Sequence, residues 1–305
     1  MTTPQDAASW NDFWADDAAR ESGGCLPDGY RSIDAAQREC WTAFAKELPP
    51  KFTALDLATG DGRVMAHFQA VRPKAKLLGI DRAPVLPKAP RGTKSRGGIA
   101  MEQLPYADAH FDVVTSQFGF EYGDTAKVSS EIARVTRPGA IIGLMLHRGD
   151  GPILAHNRER ASGLAWVLDE RNLLEIARRS LKARAMGLHA VPDAVQAAPA
   201  EGARLFGDRS AAWELAEAVR QTLGLGLRDH PGNVARLLNT LEDKARNELG
   251  RIGSLVSACA RADDHAGLAD GWRIAGLNLV GGDELADGLY PAAFATFYRL
   301  ERSDS

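Results

Sequence analysis

Leu55-Asp56-Leu57-Ala58-Thr59-Gly60-Asp61-Gly62-Arg63-Val64 reads as a buried strand that breaks into a glycine turn and then starts a helix. Gly60 and Gly62 accept backbone angles closed to other residues and let a ligand approach the main chain. The free N–H groups of the following helix point back toward that ligand. A nucleotide-like group is therefore expected at this turn. A dinucleotide fingerprint asks for a third glycine at the position held here by Met65. Asp56, at the strand end, would also set negative charge beside a pyrophosphate. The same acid suits a ligand that carries an amino group and a sulfonium.

Three further segments follow in order. Leu77-Leu78-Gly79-Ile80-Asp81 is a second apolar strand that ends in an acid. Met101 to Val114 reads as a loop leading into another strand, with Asp108 and Asp112 as turn and strand-start residues. Arg134-Val135-Thr136-Arg137-Pro138-Gly139 reads as a helix end and turn before a strand over Ala140 to Leu146. Together these segments resemble the class I S-adenosylmethionine-dependent methyltransferases over roughly residues 50 to 147. The resemblance implies S-adenosyl-L-methionine as cofactor. Asp56, Ala58, Gly60 and Gly62 would then cradle its methionine end, and Asp81 with Arg82 would border the ribose. Met101 and Glu102 would lie along the adenine, since Ala100 stands where the family often has an acid. Gln117 and Phe118 would also touch the cofactor.

The chain has 305 residues with 45% hydrophobic content, enough for a sizeable core. The formal net charge of −3 gives no nucleic-acid footprint. Cys25, Cys40 and Cys259 lie far apart with no metal-ligand spacing, so no metal site is expected and the thiols fit a cytoplasmic setting. The start, Met1 to Asp6, lacks the pattern of a signal peptide. No apolar run approaches the ~20 residues that span a bilayer.

The expected fold is α/β: a Rossmann-like seven-stranded sheet flanked by helices, with a helical insertion between strands five and six. In the expected organisation one methyltransferase domain spans 1–305. Its parts are an N-terminal helical cap over 1–50, a cofactor-binding core over 51–150, a helical insertion over 151–270 that shapes the acceptor site, and the final strands over 271–305. Trp10, Phe13 and Trp14 share one helical face, as a core cap or as a lid. The third strand is expected near Gly98-Ile99-Ala100, and the basic stretch Arg82, Lys88, Arg91, Lys94 and Arg96 as a loop, solvated or facing an anionic substrate. Ala190 to Gly202 is read as a connecting loop. Val234, Leu237, Leu238, Leu241, Ala245, Leu249, Ile252 and Leu255 form a helical stripe. Trp272 to Val280 and Ala295 to Leu300 are read as the sixth and seventh strands, with Gly281, Gly282 and Asp283 in a loop between them.

Methyl transfer from a sulfonium demands alignment and exclusion of water, and a base only for a poorly nucleophilic acceptor. Glu121 and Tyr122, in the segment Ser116 to Tyr122, and His147 at the end of strand five are the candidate catalytic residues. That segment lacks the Asn/Asp-Pro-Pro-aromatic pattern for planar amino groups and the Pro-Cys nucleophile for cytosine. A small-molecule acceptor is the leading expectation, with no membrane association and no stated oligomer. A non-catalytic methyltransferase-like partner, a methyltransferase acting on RNA or protein, and an NAD-dependent oxidoreductase stay open as alternatives.

Overall fold

The computed structural model describes residues 10, 13, 14, 31–184 and 190–303, with side chains left undescribed at 183 and 184. Most of the expected N-terminal cap, including Cys25, lies outside the described residues. Seven strands form one sheet in the order β3-β2-β1-β4-β5-β7-β6. They span β1 Thr53–Leu57, β2 Lys76–Ile80, β3 Lys94–Arg96, β4 Phe111–Gln117, β5 Thr136–His147, β6 Leu277–Leu285 and β7 Ala295–Arg302. The strands from β1 to β5 pair in parallel, and β7 runs antiparallel to both β5 and β6. This is the Rossmann-like seven-stranded sheet read from the sequence, and helices occupy the chain between β5 and β6.

The sheet lies between two apolar layers because successive residues of a strand face opposite sides. Ala54, Leu77, Val113 and Met145 pack with Trp41 and Phe44 of helix Arg31–Glu47 and with Val64 and Phe68 of helix Arg63–Val71. Their neighbours Leu55, Val114 and Leu144 pack with Val128 and Ile132 of helix Thr125–Val135 and with Leu268 and Trp272 of helix His265–Ile274. Both faces are thus covered, as a parallel sheet requires.

The chain divides into two compact units. One is Met1–Leu154 with Ser254–Ser305, which holds the sheet, and the other is Ala155–Gly253. The second unit has its own core of Trp166, Val167, Leu174, Val195, Val219, Leu223 and Leu238. Helix Pro231–Ala262 carries the stripe read from the sequence. Val234, Leu238 and Ala245 of the stripe are buried, while Leu237 is 56% exposed.

Three expected elements differ. Residues 193–202 of the expected loop belong instead to helix Asp193–Phe206. Val195, Ala198, Pro199 and Gly202 bury one face at helical spacing, and this packing outweighs the proline within the helix. The third strand lies at Lys94–Arg96, four residues before its expected place, pairing with Leu78–Ile80. Gly98, at φ 73°, follows it, and the basic side chains suit an exposed sheet edge. Trp272 to Ile274 close a helix, and Gly276 (φ 75°) turns the chain so that β6 begins only at Leu277. Gly281, Gly282 and Asp283 then lie inside β6, beside a register shift, rather than in a loop.

Candidate active site

β1 and β4 are adjacent, with β2 on the far side of β1 and β5 on the far side of β4, so the connections leave in opposite directions at this point. Ligands of open α/β sheets bind at such a switch, beyond the carboxyl ends of the strands. Past β1, Ala58, Gly60 and Gly62 have φ values of 52°, 51° and 77°. Ala58 bears a Cβ in this left-handed region, at a cost of about 1–2 kcal/mol. Hydrogen bonds hold the turn in place: Thr59 N donates to Ile80 O at 2.9 Å and Gly62 N donates to Thr59 O at 2.8 Å. Trp14 lies directly over the turn, since a Cβ at Gly60 would stand 2.5 Å from two of its ring carbons.

Two buried acids anchor this turn. Asp56 accepts hydrogen bonds from Thr59 Oγ1 at 2.6 Å and from Thr115 Oγ1 at 2.7 Å, one on each oxygen. Burial pushes its carboxyl up to about 7, against the two hydroxyls that lower it. Asp81 accepts from Gly60 N at 3.0 Å and from Ala83 N at 2.9 Å. Its carboxyl is also raised by burial, opposed by these backbone donors. Arg82, the next residue, is exposed.

On the other side of the switch point, Phe118 has φ 53°, a strained angle for an aromatic residue. Gly119 follows, and a Cβ there would stand 2.4 Å from the Cβ of Ala58. Only glycine lets the ends of β1 and β4 approach this closely. Glu121 is fully buried in the short helical turn Phe120–Tyr122. Its Oε1 accepts from His147 N at 3.0 Å and lies 2.8 Å from His147 Nδ1. The Phe118 and His147 rings stack with centroids 4.1 Å apart, and Tyr122 meets His147 edge-on at 6.0 Å. Trp10 meets Tyr122 edge-on at 5.7 Å.

The remaining candidates lie at the borders of this group. Gln117 accepts from Trp41 Nε1 at 2.6 Å and donates to Gln37 Oε1 at 3.1 Å, so its amide is held by helix Arg31–Glu47. Glu102 Oε1 accepts from Asp124 N at 3.2 Å, and a Cβ at Gly123 would lie 3.4 Å from Met101 Cε. Met101 and Glu102 thus rest against the turn that follows Tyr122. Thr59 and Thr115 are absent from the sequence reading of the site, and Trp14 enters it only as part of a helical cap or lid. Hydroxyls that satisfy a buried acid carry no motif, although an acid within an apolar strand signals that such partners must exist.

A methyltransferase domain family model matches residues 55–144. A ubiquinone/menaquinone biosynthesis C-methyltransferase of Bdellovibrio bacteriovorus is 42% identical over 93 residues, which cover 28% of this chain and 40% of that protein. A demethylmenaquinone methyltransferase of Thermus thermophilus is 35% identical over 103 residues, covering 31% and 46%. The chain thus spans less than half the length of each of these two relatives. Among solved structures, Burkholderia thailandensis 1,6-didemethyltoxoflavin-N1-methyltransferase, with 1,6-didemethyltoxoflavin and S-adenosylhomocysteine bound, is similar at 16% identity and a TM-score of 0.38, covering 50% of this chain and 68% of that one. The matched segment, which contains the glycine turn and both buried acids, is similar to the methyltransferase domain of class I S-adenosylmethionine-dependent enzymes.

Proposed function

We propose that this protein is an enzyme that moves a methyl group from S-adenosylmethionine to a small-molecule acceptor. The observation that carries the reading is Asp81 on the Gly60 N–H, an acid at the end of β2 fastened to the glycine turn at the end of β1. The chemistry of the turn fits the cofactor. The buried acids fastened to it, Asp56 and Asp81, are acceptors for hydroxyl and ammonium groups and poor neighbours for phosphate. When bound, the cofactor supplies an electrophilic methyl group on a good leaving group.

The chain's own residues take the remaining tasks. Asp81 accepts from the ribose hydroxyls with the lone pairs that its backbone donors leave over. Gly60 and Gly62 let the methionine end lie against the main chain, and Ala58 turns the chain away from it. Asp56 acts through Thr59 by holding the turn to the sheet. Met101 and Glu102 border the adenine, with Arg82 at the ribose rim. Phe118 and Gln117 form the wall on the β4 side, with Trp14 over the turn as a barrier to water.

The two relatives are named for ubiquinone and menaquinone biosynthesis and for demethylmenaquinone, which makes a demethylated quinol ring the first acceptor to try. The test is transfer of a labelled methyl group from S-adenosylmethionine to a demethylnaphthoquinol. Label in the extracted ring product supports the reading. Cofactor binding with no transfer to quinols or to other small phenols, amines and thiols would count against it.

A further inference from the structure

His147 and Glu121 form a contact that cofactor binding does not require. Glu121 is fully buried and His147 is 8% exposed. Glu121 Oε1 receives two neighbours from one residue, the backbone N–H and the ring Nδ1 of His147. Since Oε1 already accepts from the backbone, the ring satisfies the same oxygen by donating from Nδ1. The lone pair then sits on Nε2, which has no hydrogen-bond partner among the described residues. A residue serving only to hold the end of β5 would need the backbone bond alone.

The ring is held from three sides. Phe118 stacks on one face, by way of the strained backbone at φ 53°, and Tyr122 closes an edge. Glu121 itself is held in the turn, its carbonyl accepting from Arg261 Nη1 at 3.0 Å. The other charged neighbour, Arg148, is committed to Asp150 at 2.8 Å and Glu284 at 2.6 Å. Glu121 is therefore the carboxylate placed to balance a charged imidazole, an arrangement that fixes the tautomer of a base. Its Oε2 is buried with no partner among the described residues, so this side chain is not present merely to complete a hydrogen-bond network.

From this geometry we propose that His147 is a general base, oriented by Glu121, and that the acceptor is a hydroxyl-bearing compound such as a phenol or hydroquinone, whose nucleophile must lose a proton. This rests on the methyl-transfer reading. The acceptor's O–H bond breaks, with its proton passing to His147 Nε2. The electron pair released on the acceptor forms the new bond to the methyl carbon, at oxygen or at the conjugated ring carbon, while the carbon–sulfur pair returns to sulfur. For ring-carbon attack, loss of the ring proton to water restores the aromatic ring. His147 then returns its proton to solvent. Amines and thiolates that attack without such help are outside this class.

The test uses the full chain and its His147→Gln and Glu121→Gln variants. Side-chain nitrogen NMR on the wild type is expected to show His147 with its proton on Nδ1 and the lone pair on Nε2. In Glu121→Gln, loss of the carboxylate acceptor should let that proton redistribute between Nδ1 and Nε2. S-adenosylhomocysteine affinity should stay within about twofold in His147→Gln, while methylation of 1,4-naphthohydroquinone and simple phenols falls by about 100-fold or more, the scale of general-base catalysis. The acid limb of the pH profile of kcat/KM should vanish with His147→Gln. Unchanged turnover in His147→Gln, a proton on Nε2, or a wild type that methylates only amines or thiols would overturn the base. Failure of the wild type to bind S-adenosylhomocysteine would instead overturn the methyl-transfer reading beneath it.

Discussion

Asp81 and Gly60 are 21 positions apart in sequence and joined by a 3.0 Å hydrogen bond from the Gly60 N–H to Asp81 Oδ2. The bond ties the ends of β2 and β1 together at the switch point of the sheet. It means that the acid assigned to the ribose also sets the conformation of the turn.

Asp81→Ala is therefore expected to weaken S-adenosylhomocysteine binding by about 1.5–3 kcal/mol, roughly 10- to 150-fold, the scale of hydrogen bonds to a charged group. Asp81→Asn keeps an acceptor for Gly60 and should lose less. Calorimetric titration of the three proteins checks this, and equal affinities would contradict the ribose assignment.

The buried carboxyl of Asp56, raised to about 7 from an ordinary 3.8, gives stability a definite slope with pH. A carboxyl raised in the fold binds its proton more tightly there than in the unfolded chain. Its contribution is fully present below about 4, declines as pH rises toward 7, and levels off above. Asp81, also raised, adds to the same slope. Asp56→Asn should flatten the fall in unfolding free energy between these limits, measured by urea melts at closely spaced pH values. A slope as steep as that of the wild type would rule out Asp56 as its source.

Gly79 packs beneath Thr59, where an added Cβ would meet Oγ1 at 2.5 Å and Cγ2 at 2.7 Å. Thr59 can yield only by leaving Asp56. Gly79→Ala is expected to cost about 1–3 kcal/mol, as overpacking does. In a Thr59→Ala background the added cost should be smaller, a coupling that a double-mutant cycle reads directly. Strict additivity would show that the two side chains do not compete.

Trp14 covers Gly60, so a ligand that reaches the glycine backbone must displace or slide beneath the indole ring. Addition of S-adenosylhomocysteine should change tryptophan emission in the wild type and change it far less in Trp14→Phe. An identical response in the two proteins would place the ligand elsewhere.

Much of this was legible before the fold was known. Strand patterning around Asp56 and Asp81 marked the ends of β1 and β2, and the glycine spacing marked the turn between strand and helix. The exceptions have physical causes. The Lys94–Arg96 strand carries no apolar signal because it is a short, solvated edge. The run Trp272 to Val280 is mostly apolar, broken by Arg273, Gly276 and Asn278, and periodicity alone cannot show that its first part is helical and its second part extended. Pro199 pointed to a loop, yet buried residues at helical spacing on both sides of it prevailed. Contacts distant in sequence left no local trace. Thr115 on Asp56, Gln117 on Trp41, and Glu121 on His147 depend on which strands become neighbours.

The central claim is that the glycine turn and Asp81 hold S-adenosylmethionine. Calorimetric titration of the purified protein with S-adenosylmethionine, S-adenosylhomocysteine and NAD tests it most directly. The expected result is saturable binding of both adenosyl ligands at one site per chain and no binding of NAD. Binding of NAD, or no heat from either adenosyl ligand at millimolar concentration, would contradict it.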